Sequence, residues 1–194
     1  MDRGIYDIFT KIPTLYTERL TLRKMSVYDA DDMFDYAKRP ETSEYLLWSP
    51  HESVRFSRGY LRFLQGQYAR RNFYDWALVL RRGGKMIGTC GFSHFDAENN
   101  AAELGYVINP DFWGMGYAAE AISRVMRFAF ENMGLNRVFV RILEGNTQSM
   151  RVAEKCHMRK EAVHKNAITV KGKYKTYIEY AILKSEFEVY DLNF

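Results

Sequence analysis

The stretch Glu103-Leu-Gly-Tyr-Val-Ile-Asn-Pro-Asp-Phe-Trp-Gly-Met-Gly-Tyr-Ala-Ala-Glu120 decides the fold. An apolar strand ends at Ile108, the chain turns at Asn109-Pro110, and Gly114-Met-Gly116 opens a helix that runs to about Met133. Ala118, Ile122, Val125, Met126, Ala129 and Phe130 fall on one stripe of that helix, and Gly134 ends it. Glycines at a helix N-terminus let backbone N–H groups approach an anion, and the helix dipole favours negative charge there. A phosphate or pyrophosphate is the ligand such a loop suits.

Outward from the loop the period alternates between strand and helix. Trp76–Leu80, Lys85–Phe95 and Ala102–Ile108 read as strands, joined by the turn sequences Arg81-Arg-Gly-Gly84 and Asp96-Ala-Glu-Asn-Asn100. Such short joints make antiparallel pairs. Arg137–Leu143 is a further strand, so the glycine-led helix becomes a crossover between it and the strand ending at Ile108. Upstream, Arg19–Met25 alternates polar and apolar residues. Ser26-Val-Tyr-Asp29 has the form of a capping box, opening a helix toward Lys38. Ser49-Pro50 predicts an N-cap and first helical position for a second helix reaching about Arg70. Downstream, a helix starts near Asn146 or Thr147, and strands over Ala162–Val170 and Tyr177–Leu183 meet through Lys171-Gly172. The expectation is an α/β fold: a mixed, mostly antiparallel sheet of about seven strands flanked by four helices.

The 194 residues suit a single domain spanning 1–194. Hydrophobic residues at 47% and charged residues at 27% describe a chain that folds on a core. Apolar runs stay far below the ~18 residues a membrane span needs, and Met1 to Lys11, with Asp2 and Asp7, does not read as a secretory leader. Two cysteines build no disulfide framework, and the four histidines pair with neither at zinc-ligand spacing, so no metal is expected. The expected setting is the cytoplasm, with no membrane partner. The net charge of +4 gathers in residues 151–175, where eight Lys or Arg meet two acids. That local excess suits an anionic cofactor or an acidic protein, and nucleic acid is not needed to explain it.

Gly114-x-Gly116-x-x-Ala119 also matches the dinucleotide fingerprint, with Glu144 placed like a ribose-binding acid. Three features weigh against it. Gly114 lies six residues beyond Ile108, the upstream strands read as hairpins, and only 50 residues follow Glu144.

Four motifs in order resemble the GNAT acetyltransferase superfamily, in particular its Rim-type branch of ribosomal-protein N-terminal acetyltransferases. They are Thr17-Glu-Arg-Leu-Thr-Leu-Arg23, Lys85-Met-Ile-Gly-Thr-Cys-Gly91 with Ala102-Glu-Leu-Gly-Tyr-Val-Ile108, the loop Phe112-Trp-Gly-Met-Gly-Tyr-Ala118, and Asn146-Thr-Gln-Ser-Met-Arg-Val-Ala-Glu-Lys155. Trp113 stands where the superfamily favours Gln or Arg, as is familiar in the Rim branch. The resemblance implies a GNAT fold and acetyl-CoA as cosubstrate. It places the pyrophosphate on the amides of Trp113, Gly114, Met115, Gly116, Tyr117 and Ala118. The pantetheine arm would run along Val107 and Ile108, where two parallel strands splay.

The same resemblance makes Glu103 a candidate general base, Ser149 a hydrogen-bond or proton donor to the departing thiolate, and Asn146 and Lys155 contacts to CoA. Each has a plainer alternative: Glu103 a strand carboxylate facing solvent or pairing with Arg, Ser149 and Asn146 helix-capping groups, Lys155 a solvated cation. Tyr106 and Tyr174 could line an acceptor cleft, while His94 and Cys156 read as structural. The acceptor would be a primary amine, either a protein N-terminus or a small molecule such as a polyamine or antibiotic. A CoA-binding module without turnover is the reading from another class, and the chain could act as a monomer or homodimer.

Overall fold

Alternation of buried and half-buried positions makes Leu20–Arg23 the strand β2, as the period in Arg19–Met25 predicts. The computed structural model describes residues 12–70 and 74–190, so the reading of Met1 to Lys11 falls outside the described residues. With β1 (Leu15–Tyr16), β3 (Tyr74–Leu80), β4 (Met86–Asp96), β5 (Ala101–Ile108), β6 (Arg137–Leu143), β7 (Arg159–Val170) and β8 (Lys173–Leu183), it forms an eight-stranded sheet in the order β1-β2-β3-β4-β5-β6-β8-β7. Among the described residues, only the β5–β6 pair is parallel.

The helices are α1 (Ala30–Ala37), α2 (Pro40–Ser43), α3 (Val54–Ala69), α4 (Tyr117–Glu131), α5 (Thr147–Lys155) and α6 (Lys184–Tyr190). Among the described residues there are thus eight strands where about seven are expected, and six helices where four are. The additions β1, α2 and α6 are two, four and seven residues long, too short to show a period.

Ser26 and Asp29 do form a capping box, at a 3-10 turn over Val27–Asp29 that leads into α1. The start of α3 is a correction. It lies at Val54, with the Ser53 hydroxyl accepting from the Phe56 N–H at 3.1 Å, and not at Ser49-Pro50. The reason is tertiary: the His51 N–H donates to the Ala37 carbonyl at 2.9 Å, which ties this segment to the end of α1.

Each face of the sheet carries its own core. Trp76, Leu78, Ile87 and Leu104 face α4, where they meet Ile122, Val125 and Met126. Ala77, Val79 and Met86 on the other face meet Met33 and Tyr36 of α1 and Leu61 and Leu64 of α3. Alternate β3 residues therefore serve two layers, which explains its nearly unbroken apolar run.

The feature that positions the site is a wedge. β5 pairs with β6 only through Ala101↔Arg137, Ala102↔Val138 and Glu103↔Phe139, while it stays paired with β4 as far as Ile108. A bulge between Phe92 and His94 lies opposite this parting, and bulges bend and twist the strand that holds them. Beyond Glu103, the β5 edge toward β6 carries backbone groups that need partners.

Candidate active site

At the wide end of the wedge, side chains brace the turn into α4. Asn109 is fully buried; its Oδ1 accepts from the Asp111 N–H at 3.0 Å and its Nδ2 donates to Asp35 at 3.3 Å. Arg39 grips Asp111 through two bonds of 2.6 and 2.8 Å, which ties the start of α2 to the 3-10 turn Pro110–Phe112. The bond to Arg39 holds the Asp111 carboxyl below the usual carboxylate range.

Gly114 and Gly116 take φ of +75° and +83°, and Gly116 is the N-cap of α4. Side chains rarely adopt this left-handed region, so the loop depends on glycine there. The loop is held from behind by Glu120, 3% exposed, whose carboxylate accepts from Thr17 Oγ1 at 2.5 Å, the Arg19 N–H at 2.9 Å and Arg19 Nε at 2.6 Å. Arg19 in turn donates to the Met115 carbonyl at 2.9 Å. A Cβ placed on Gly116 would sit 3.4 Å from Arg19 Nη2 and 3.9 Å from Lys155 Nζ. Two cations therefore flank a glycine-led helix N-terminus, which fits a diphosphate.

A cavity of about 600 Å³ extends from this loop into the wedge. Val107 and Ile108 form one wall, Trp113, Gly114, Gly116, Tyr117 and Ala118 the loop end, and Asn146, Ser149 and Lys155 the far side. Of the sequence-predicted site residues, Met115, Glu103 and Tyr174 stand outside this lining. The Trp113 N–H is already bonded to the Pro110 carbonyl at 3.0 Å, and its indole N–H donates to the Ile108 carbonyl at 2.8 Å. Trp113 thus borders the cavity with its ring while its amide is engaged.

The fourth wall comes from α2 and the turn after it, Glu41, Thr42, Glu44 and Tyr45, which sequence reasoning missed. Thr42 Oγ1 is buried there without a hydrogen-bond partner among the described residues. A buried hydroxyl left unmatched on a cavity wall suits a polar ligand.

Ser149 occupies the first turn of α5, and its N–H donates to Asn146 Oδ1 at 3.1 Å. The Tyr106 hydroxyl reaches the Ser149 carbonyl at 3.5 Å. Burial pushes the Tyr106 pKa well above the ordinary tyrosine value, while the Ser149 hydroxyl pulls the other way. Tyr106 therefore keeps its proton as a donor beside Ser149.

Glu103 lies on the opposite face of β5, where Arg141 Nε donates to its Oε1 at 2.9 Å and Arg141 Nη2 bonds its Oε2. His94 is exposed beside it in the neighbouring strand. Tyr174 is 76% exposed on the β7–β8 hairpin. Cys156 is buried, which pushes its thiol up to about 11. Among the described residues no helix is long and apolar enough to cross a membrane, and no cluster of three His, Cys, Asp or Glu is placed to hold a metal.

This arrangement can be set against known proteins. The family described as "Acetyltransferase (GNAT) domain" matches residues 19–159. An uncharacterized N-acetyltransferase of Bacillus licheniformis, p20, is 32% identical over 174 residues, covering 90% of this chain and 98% of that one. A Bacillus subtilis protein named "Putative ribosomal N-acetyltransferase YdaF" is 26% identical over 175 residues, covering 88% and 94%. A crystal structure of a GNAT-family acetyltransferase from Bacillus anthracis superposes with a TM-score of 0.80 at 26% identity, covering 90% of this chain and 100% of that one. With the glycine loop, the splayed strand and a family match across most of its length, the chain belongs to the GNAT family of acetyltransferases.

Proposed function

We propose that this chain, acting as one domain over residues 1–194, moves the acetyl group of acetyl-CoA directly to the α-amino group of a protein N-terminus, within a complex that holds both substrates. The observation that carries the reading is the wedge: β5 leaves β6 after Glu103 and opens on a glycine loop flanked by Arg19 and Lys155. Acetyl-CoA supplies an activated thioester. The amides from Gly114 to Ala118 and the two cations hold its pyrophosphate, and the β5 edge at Val107 and Ile108 pairs with its amide-rich arm as an added strand would. Thr42 offers a further hydrogen bond from the roof.

At the narrow end, Ser149 and Tyr106 stand on the α4–α5 face, where donors stabilise the sulfur as its bond to carbon breaks. Asn146 fixes Ser149 through its N–H. On the other face the Glu103–Arg141 pair borders the approach of the acceptor. The name of the Bacillus subtilis relative, a putative ribosomal N-acetyltransferase, supports a ribosomal acceptor, and the cytoplasm as the place of action suits it.

Thiol release from acetyl-CoA, measured across peptides with different free N-termini and across polyamines and aminoglycosides, tests the acceptor class. Turnover at least ten-fold greater with some peptides than with every small amine is expected. Turnover confined to the small amines would overturn the assignment to protein N-termini.

A further inference from the structure

β3 carries one charged residue in an otherwise apolar and aromatic run, Tyr74-Asp-Trp-Ala-Leu-Val-Leu80. Asp75 points to the face of Ala77 and Val79, the face opposite Ser149. In the sheet it pairs with Gly91, and Gly91 pairs with Gly105. A Cβ on Gly91 would fall 2.1 Å from the Tyr74 carbonyl oxygen and 2.9 Å from Asp75 Oδ1. A side chain at Gly91 would run into the β3 backbone, with the Asp75 Cα only 2.4 Å from its Cβ, so glycine is what lets the two strands come this close, with Asp75 Oδ1 beside Gly91. At Gly105 the same construction meets nothing within 4 Å, and Gly105 is exposed. Two bare glycines thus form a floor from the carboxyl to β5.

That floor ends where the wedge begins. β5 and β6 part after Glu103, so an arm running back from the glycine loop along Ile108 and Val107 reaches its reactive end near Leu104 and Gly105. Asp75 stands one strand further on, beyond Gly91. Its Oδ1 is buried and has no hydrogen-bond partner among the described residues, whereas both oxygens of Glu103 are held by Arg141. The titratable groups whose fields reach Asp75 are Tyr36 from α1, Tyr60 and Tyr68 from α3, and Cys90 from β4. All are neutral at ordinary pH. Burial raises the Asp75 carboxyl to about 7, against the pull of Thr89 and the Trp76 N–H toward the charged form. A base poised near neutral pH is well matched to taking a proton from an ammonium.

We propose that Asp75 is the residue that binds the ammonium group of the acceptor and removes its proton. The inference rests on the amine-acetylation reading above and deepens it. One N–H bond breaks, its electron pair stays on nitrogen as the attacking lone pair, and the proton passes to Asp75. Nitrogen then bonds to the acetyl carbon, and the carbon–sulfur bond breaks with its pair on sulfur. The second nitrogen proton balances that sulfur, so CoA leaves as the thiol, and Asp75 returns one proton to solvent.

The test is the pH dependence of kcat/KM for a free-amine peptide with acetyl-CoA, read by thiol release for the parent, Asp75→Asn, Asp75→Glu and Glu103→Gln. Asp75→Asn should lose about 100- to 1000-fold between about pH 7, where Asp75 ionises, and the amine's own pKa, with the deficit shrinking as the amine becomes neutral unaided. KM for acetyl-CoA should stay unchanged, and Asp75→Glu should recover part of the rate. An Asp75→Asn enzyme with the parent's rate and profile overturns the proposal, as does a pH-independent loss shared with Asp75→Glu and accompanied by weaker acetyl-CoA binding. Loss in that window in Glu103→Gln but not in Asp75→Asn also overturns it. A parent that acetylates no amine at all rejects the underlying reading instead, and is told apart by the parent alone.

Discussion

Asp75 and Glu120 are both acids set among apolar neighbours, and their surroundings give them opposite tasks. Glu120 is matched by three donors within 2.9 Å, which fixes it as a charged brace behind the glycine loop. Asp75 Oδ1 has no such donor among the described residues, so the charge there costs stability. The sign follows from linkage. Below the unfolded value of 3.8 the carboxyl is protonated in both states. Between there and about 7 the folded chain holds a proton that the unfolded chain has lost, so stability falls as pH rises through that window and then levels off. Asp75→Asn removes this slope. Its thermal midpoint should match the parent near pH 4 and exceed it at pH 8; an equal difference at both pH values would show that Asp75 is not held at a raised pKa.

The legibility of individual residues followed sequence distance. The Ser26/Asp29 box spans four positions and was readable from its letters. The Arg19–Glu120 brace joins residues 101 apart, and Asp75 gains its meaning from two glycines on other strands. No local pattern carries either.

At the scale of elements, the glycine-led helix and the hairpins were legible because each is fixed by its own period and turn residues. The start of α3 was not, because a bond from His51 to Ala37 overrode the signal at Ser49-Pro50. The short α2 was likewise invisible, yet it roofs the cavity and is tied to the loop by Arg39 and Asp111. That pair is partly exposed, with Arg39 at 23% and Asp111 at 56%, and solvent screens such pairs so that they add little to stability. Arg39→Ala should therefore shift the thermal midpoint little while it frees α2 and the 110–112 turn, weakening acetyl-CoA binding several-fold by calorimetric titration. Unchanged affinity would show that α2 is no part of the cofactor site.

Across the whole molecule, the positive charge of residues 151–175 is partly spent inside the fold. Lys171 donates to the Ser43 carbonyl at 2.7 Å, and Arg159 pairs with Glu186. Lys155, by contrast, stands beside the Gly116 loop, so part of the excess charge borders the phosphate end of the cavity. The family and the cofactor end of the site were legible because four motifs in the right order report one architecture. The acceptor side was not, because it is made of glycines, a buried carboxyl and short helices from distant parts of the chain.

The most direct test of the central claim is intact-mass measurement of a free-amine peptide and its N-terminally blocked twin after incubation with the protein and acetyl-CoA. The free-amine peptide should gain one acetyl group, with one equivalent of CoA thiol released, and the blocked peptide should gain none. Acetyl-CoA binding without acetyl transfer to the peptide or to any small amine would contradict the account.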